Sequence, residues 1–469
     1  MRVPNIVLIV IDTCREDLLS NAISKDMMPN LKSVLGDFNI FKQNISPSPW
    51  TTPSHVSLFT GLYPSEHKVH EDGISKQSSV IMEKIKTFDG KLLPETLREK
   101  GYSTYGFVAN PNLMPGTGFE RGFNYLFFSD MFSDLSDELD AFRERLLKRY
   151  SKDFDEILDI ANNFSLSRLL LYTKCRSNIL KLPYLLTNYL IFLNGVKRFN
   201  YPLIKGGDYI VANIQNSFFN EPYFIFVNFM ETHDPYKISS GKLFSGEGEK
   251  MLRYLAGDHT LSESELSKFK SIYLDELSEI DKYLGKIIKK LKQSGSYDDS
   301  IFVITSDHGQ SFGENHFYGH GVFVSDALVR VPLLLKLPQN KKITPSSGYQ
   351  SLVNIYEFIV SCSNGILDSK LLTSDTVYSE SFGIQEDYTK LFKRDINLLN
   401  TLKKLDHRRL AVYCHDSKMV LNINDKLATI SKIGHPSTKE EESVSDCVEN
   451  ALRFLGPKFT LEYASKRLK

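Results

Sequence analysis

The sequence predicts an α/β fold, with a mostly parallel central sheet flanked by helices and a smaller α+β domain toward the C-terminal end. Three observations carry this expectation. Short apolar, β-branched runs recur along the chain, stretches of helical periodicity separate them, and an acid or a histidine stands just beyond each run. Continuous apolar runs suit strands buried on both faces of a parallel sheet. Their alternation with helices implies a layered α/β sandwich. Ligands of such open sheets bind beyond the carboxyl ends of the strands, so the residues after each run are where chemistry is expected.

The first run is Asn5 to Ile11, and Asp12 follows it. Leu92 to Lys100 reads as a helix, and from about residue 130 to 208 charged and apolar residues at helical spacing read as a helical insertion. Tyr223 to Phe229 is the second run, with His233 beyond it; Glu263 to Gln293 reads as a long helix; Ser300 to Thr305 is the third run, leading to Asp307 and His308. Residues 1–340 are therefore expected to form the catalytic domain. Residues 341–469, with a helix-like Ser351 to Val360 and strand-like Thr376 to Ser379 and Leu410 to Tyr413, are expected to form the smaller one. A chain of 469 residues exceeds what one hydrophobic core usually supports.

The 57 basic and 57 acidic side chains cancel, which argues against a protein held on nucleic acid or an anionic membrane by bulk charge. The apolar stretch Leu169 to Val196 is interrupted by Lys174, Arg176, Lys181 and Pro183, so no transmembrane segment is expected. Met1 to Pro4 runs straight into the first strand without a charged leader or apolar leader segment, and the chain reads as cytoplasmic. Cys14, Cys175, Cys362, Cys414 and Cys447 are scattered without paired spacing, as expected of free thiols in a reducing compartment. No feature fixes an oligomeric state.

Two segments carry the chemistry. In Pro49-Trp50-Thr51-Thr52-Pro53-Ser54-His55, a hydroxyl at the start of a helix faces the amide donors of the helix end, where a nucleophile would sit. By pattern alone an ordinary capped helix explains this segment as well. In Ser306-Asp307-His308-Gly309, an Asp and a His at a strand end can present oxygen and nitrogen to one divalent ion, and Asp12 would complete the cluster. Any one such acid could be a turn former. Three ligands at strand ends make a stronger case.

Taken together these segments resemble the sulfatase family of the alkaline phosphatase superfamily. The family's nucleophile motif, Cys or Ser-x-Pro-Ser-Arg with a later Gly, reads Thr51-Thr52-Pro53-Ser54-His55 with Gly61, and its Asp-Asn/His-Gly motif reads Asp307-His308-Gly309. Asp12 stands at the end of the first strand with Thr13 beside it; Gly101-Tyr102-Ser103-Thr104, Thr232-His233-Asp234-Pro235-Tyr236 and Gly319-His320-Gly321 before Arg330-Val331-Pro332 also match. The resemblance runs from about Asn5 to Leu335 and implies an alkaline-phosphatase-like sandwich. It further implies Thr51, His233 and His320 as catalytic residues, and Asp12, Asp307, His308 and Thr51 as metal ligands. His55, Asn110 and His316 are implied as substrate contacts.

The departures bear on substrate. Sulfatases of this family convert the motif cysteine to formylglycine, which Thr51 cannot become. A phosphothreonine turns over by the in-line displacement that formed it, whereas a sulfated threonine needs water to attack sulfur, so phosphate esters are expected over sulfate esters. His55 replaces the motif arginine, His320 stands where many sulfatases have lysine, and Asn110 lies where the family has Gly-Lys-Trp-His. Relatives with threonine at this position are phosphodiesterases, phosphomutases and phosphoethanolamine transferases. The expected activity is a hydrolase with a small-molecule, glycan or lipid-headgroup ester substrate. True sulfate hydrolysis, phosphoryl transfer and an inactive binding role are the alternatives. With Asp and His ligands, zinc or manganese is favoured over calcium or magnesium.

Overall fold

The computed structural model describes residues 3–71, 78–129, 205–234, 236, 252–257, 261–343, 348–385, 395–425, 427–432 and 440–456. The described residues of Met1–Ser129, Lys205–Tyr236 and Phe244–Lys469 group into one compact unit. The expected insertion over 130–208 lies outside the described residues up to residue 204, as does all of Leu169 to Val196.

Strands run in chain order as β1 (Asn5–Ile11), β2 (Phe38–Ile45), β3 (Ser103–Val108), β4 (Tyr125–Phe128), β5 (Tyr223–Phe229), β6 (Ser300–Thr305), β7 (Ser311–Phe312), β8 (Tyr318–Gly319), β9 (Arg330–Lys336), β10 (Gln350–Ser351), β11 (Thr376–Ser381), β12 (Arg409–Cys414), β13 (Ser417–Asn422) and β14 (Leu427–Lys432). The large sheet has the order β10-β2-β9-β6-β1-β5-β3-β4. Its pairs are parallel apart from β2 with β9 and β6 with β9. β11 to β14 form an antiparallel sheet in sequence order, and β7 pairs with β8 as a small ribbon. The α/β class with a second, smaller sheet is therefore as the sequence predicts. The expected boundary near residue 340 falls between β9 and β10, both strands of the large sheet.

All seven residues of β1 are buried, as its lack of alternation requires of a central strand covered on both faces. On one face Ile6, Leu8 and Val10 pack with Phe224, Phe226, Ile301 and Val303 beneath helices Thr51–Thr60 and Leu352–Ser363. Phe59 meets Phe226 edge-to-face with ring centroids 4.9 Å apart. On the other face Phe229 stacks at 5.5 Å on Tyr283 of helix Glu263–Gln293. That helix begins with a capping box: the Ser262 hydroxyl accepts from the Glu265 amide, and the Glu265 carboxylate accepts from the Ser262 amide at 2.8 Å. Its Asp281 is buried and accepts from the backbone amides of Asn30 at 2.9 Å and Leu31 at 2.8 Å, fixing helix Pro29–Val34 against it.

Helix Thr51–Thr60 is buried along its whole length. It ends at Gly61, whose φ of 71° is left-handed; an added Cβ there would lie 2.7 Å from the Tyr356 ring. Both conditions demand glycine. No helix among the described residues is long and apolar enough to cross a membrane.

Candidate active site

β6, β1 and β5 are neighbours, with Val10 in register with Thr305 and Ile11 with Phe229, so the residues leaving these strands meet at one edge of the sheet. Asp12, Asp307 and His308 are fully buried there, and their ligand atoms all lie within 4.8 Å of one another. His308 Nε2 stands 3.8 Å from Asp12 Oδ1 and 3.5 Å from Asp307 Oδ2. The other ring nitrogen, Nδ1, lies 2.9 Å from the Gly309 carbonyl and must donate to it, which leaves Nε2 facing the carboxylates.

Each carboxylate is tied by one oxygen and bare at the other. Asp12 Oδ2 accepts from Asn110 Nδ2 at 2.6 Å; Asp307 Oδ1 accepts from the amides of His308 at 2.9 Å and Thr13 at 3.2 Å. Asp12 Oδ1 and Asp307 Oδ2 are buried without a hydrogen-bond partner. Burial pushes the Asp12 carboxyl above the usual carboxylate range, and the Asp307 charge adds to the rise. Two buried, unpartnered carboxylate oxygens converging with an imidazole nitrogen are the donor set of a divalent cation site. These residues fit the metal that the family resemblance implies.

Thr51 is the first residue of its helix, and no side chain caps that helix end. Its Oγ1 lies 3.2 Å from His308 Nε2. The Ser54 hydroxyl donates to the Asp307 carbonyl at 2.6 Å, which ties the same helix turn to the strand end. His55, one turn on, is fully buried: its Nδ1 donates to the Thr51 carbonyl at 3.0 Å and lies 3.5 Å from Asp307 Oδ2. Burial among Phe119 and Phe226 pulls it down to about 4, so near neutral pH this ring is uncharged where the family motif has arginine.

A second group, His233, Asp234 and His320, lies beside the first. The His320 ring is 4.6 Å from that of His308 and 4.9 Å from that of His233. His320 Nδ1 pairs with Gln310 Oε1 at 2.8 Å. Burial lowers its pKa well below the ordinary value, and the neighbouring His308 and His233 lower it further. Burial alone would lower His233 as well, but the Asp234 carboxylate, 3.1 Å from Nδ1, and then Asp12 raise it overall.

Eight of the nine residues expected from the sequence, Asp12, Thr51, His55, Asn110, His233, Asp307, His308 and His320, thus stand at or beside these two groups. His316 does not. It is exposed on the β7–β8 turn and packs 4.4 Å from the Tyr254 ring. Sequence reasoning missed Gln310, a buried amide only two residues past His308, and gave Arg15 no part. Arg15 donates to the Gln310 carbonyl at 3.1 Å and to Glu314 at 2.6 Å, so it clamps the segment that presents His320's partner. A basic residue three positions after a strand-end acid was the available signal.

This fold sets a buried acid and histidine cluster opposite a threonine at a helix start. The chain belongs to the sulfatase family, whose profile matches residues 4–183 and 199–366. Among curated relatives, it is 34% identical over 77 residues to the multifunctional alkaline phosphatase superfamily protein PehA of Trinickia caryophylli, covering 16% of this chain and 15% of that one. It is 27% identical over 136 residues to the phosphoethanolamine transferase EptA of Escherichia coli strain K12, covering 28% of this chain and 23% of that one. The matched stretches thus span less than a quarter of either relative. The fold is similar to that of the phosphonate monoester hydrolase SpPMH from Silicibacter pomeroyi, with a TM-score of 0.61, 16% identity, and coverage of 96% of this chain and 94% of that chain.

Proposed function

We propose that this enzyme cleaves a phosphate ester through a covalent intermediate on Thr51. The observation that carries the reading is the Thr51 hydroxyl 3.2 Å from His308 Nε2, at an uncapped helix start beside two unpartnered carboxylate oxygens. Asp12, Asp307, His308 and Thr51 would hold a divalent cation, with zinc or manganese favoured by the mixed oxygen and imidazole donors. Bound there, the cation supplies Lewis-acid polarisation of the ester and lowers the cost of ionising the threonine hydroxyl.

The protein's own groups do the rest. Thr51 Oγ1 bonds to phosphorus in line as the bond to the leaving alcohol breaks, and its own proton passes to solvent. His233, held by Asp234, gives its proton to the leaving oxygen, while the amides of the first helix turn face charge on the non-bridging oxygens. Water attacking the phosphothreonine then restores Thr51. Phosphate is favoured over sulfate because this second displacement reuses the geometry of the first. PehA and SpPMH, by their names, lie on the side of phosphorus chemistry. The substrate would be a small-molecule, glycan or lipid-headgroup ester. Phosphoryl transfer is the second reading, favoured by the match to EptA, and differs only in the alcohol that takes the place of water.

The test is to quench turnover of a nitrophenyl phosphate ester in acid and map peptides by mass spectrometry. Phosphate on Thr51 is expected. Turnover that proceeds in Thr51→Ala, with no phosphopeptide from the wild type, would overturn the reading.

A further inference from the structure

Two of the thiols that the sequence reads as isolated come together in the fold. Cys414 closes β12, and Cys447 lies in the middle of helix Glu440–Leu455, which covers β12 and β13. Both are buried in the small core made with Leu410, Val412, Met419 and Leu421. The Cys447 thiol donates to the carbonyl oxygen of Cys414 at 3.6 Å. Asn450, one turn further along the same helix face, donates to Cys414 Sγ at 3.6 Å and to Thr376 at 3.1 Å. Helix and strand thus bring the two cysteines together in one small core.

We propose that Cys414 and Cys447 are a disulfide-forming pair, which covalently fastens the helix to the four-stranded sheet when the protein meets a small-molecule disulfide. A thiolate near ambient pH is the competent nucleophile. Cys414 attacks one sulfur of the small disulfide and expels one thiolate, forming a mixed disulfide. Cys447, losing its proton, then displaces the second thiolate. The two protein thiols are oxidised and one small disulfide is reduced to two thiols. Helix undocking admits the oxidant, since both sulfurs are buried in the docked state.

Cys14 and Cys362 are also buried, and they enter no such pair among the described residues. The fastened helix would brace a sheet that itself holds the loop after His320. The Ser381 hydroxyl of β11 donates to the carbonyls of Gly321 at 3.1 Å and Val322 at 2.7 Å, and Arg409 of β12 donates to Val322 at 3.2 Å. The closed loop spans 33 residues, enough for a clear stabilisation by restricting the unfolded chain.

The test uses the full chain, incubated with oxidised glutathione, acid-quenched, alkylated and digested without reductant. A Cys414–Cys447 linked peptide is expected, with the other three of the five cysteines alkylated. The melting temperature should rise by several degrees and return on reduction. Cys447→Ser should abolish the shift while Cys362→Ser leaves it. Recovery of both cysteines as alkylated or glutathionylated peptides, or pairing of either with Cys175, would overturn the proposal. The mapping is made on the wild type, so it stands whether or not a variant folds.

Discussion

Replacing Asp12 with asparagine should stabilise the metal-free protein while abolishing its response to metal. Asp12 is fully buried, one oxygen has no partner, and burial together with the Asp307 charge disfavours its ionised form. Ordinarily, removing a charge from a buried polar cluster costs stability, because a partner is left unpaired. Here the nearest facing groups are the Asp307 carboxylate and the His308 ring, and neither donates a hydrogen bond to the bare Asp12 oxygen. The asparagine keeps an acceptor for Asn110, and its amide can donate toward Asp307 or His308. Relief of an unsatisfied buried carboxylate is worth about 1–3 kcal/mol. Wild type should gain the complementary term: a cation at a hundred times its dissociation constant adds about 2.7 kcal/mol to the folded state. Urea unfolding of both proteins in chelator and in zinc or manganese reads the two quantities together. The reasoning is refuted if the variant is less stable than wild type in chelator, or if metal stabilises both alike.

Three further outcomes follow from the packing. Glu314 is held down at about 2, an outcome in which the Arg15 guanidinium overcomes the opposing effect of burial, so its contribution is full above about 4.5 and lost as pH falls toward 2. Glu314→Gln should flatten the decline of unfolding free energy over that window. Burial pulls His67 down to about 3; it accepts from the Val69 amide at Nδ1 and lies 3.2 Å from the Pro53 carbonyl at Nε2. The unfolded chain takes up that proton first, so stability should fall as pH drops from about 6.5 toward 3, and His67→Gln should remove this slope in urea titrations at successive pH values. Asp281→Ala leaves the amides of Asn30 and Leu31 without their acceptor and should cost about 1–3 kcal/mol in the same assay.

The central strands were legible because burial on both faces leaves continuous apolar runs. β1, β5 and β6 begin and end where those runs do, and helix Glu263–Gln293 follows its periodicity. β2 and β9 were not legible. β2 is buried at its two ends but not through its middle and shifts register between Phe41 and Asn44, while β9 carries Pro332 within it. β10 is two residues long and takes its strand character only from pairing with β2. At the site, strand-end acids and histidines announce themselves by position. Gln310 and the thiol pair do not, because each depends on a contact between distant pieces of chain. His316 shares the Gly-Glu-Asn-His turn with Glu314, but left-handed φ values at Asn315 and His316 turn the backbone there, and the ring packs on Tyr254 instead.

The most direct measurement is hydrolysis of matched nitrophenyl phosphate monoester, phosphate diester and sulfate ester by metal-reconstituted wild type and Thr51→Ala under identical conditions. The account predicts turnover of a phosphate ester, falling at least about 10²-fold in the variant, as expected for loss of a covalent nucleophile. Thr51-dependent turnover of the sulfate ester in preference to both phosphates, or phosphate turnover unchanged in Thr51→Ala, would contradict it.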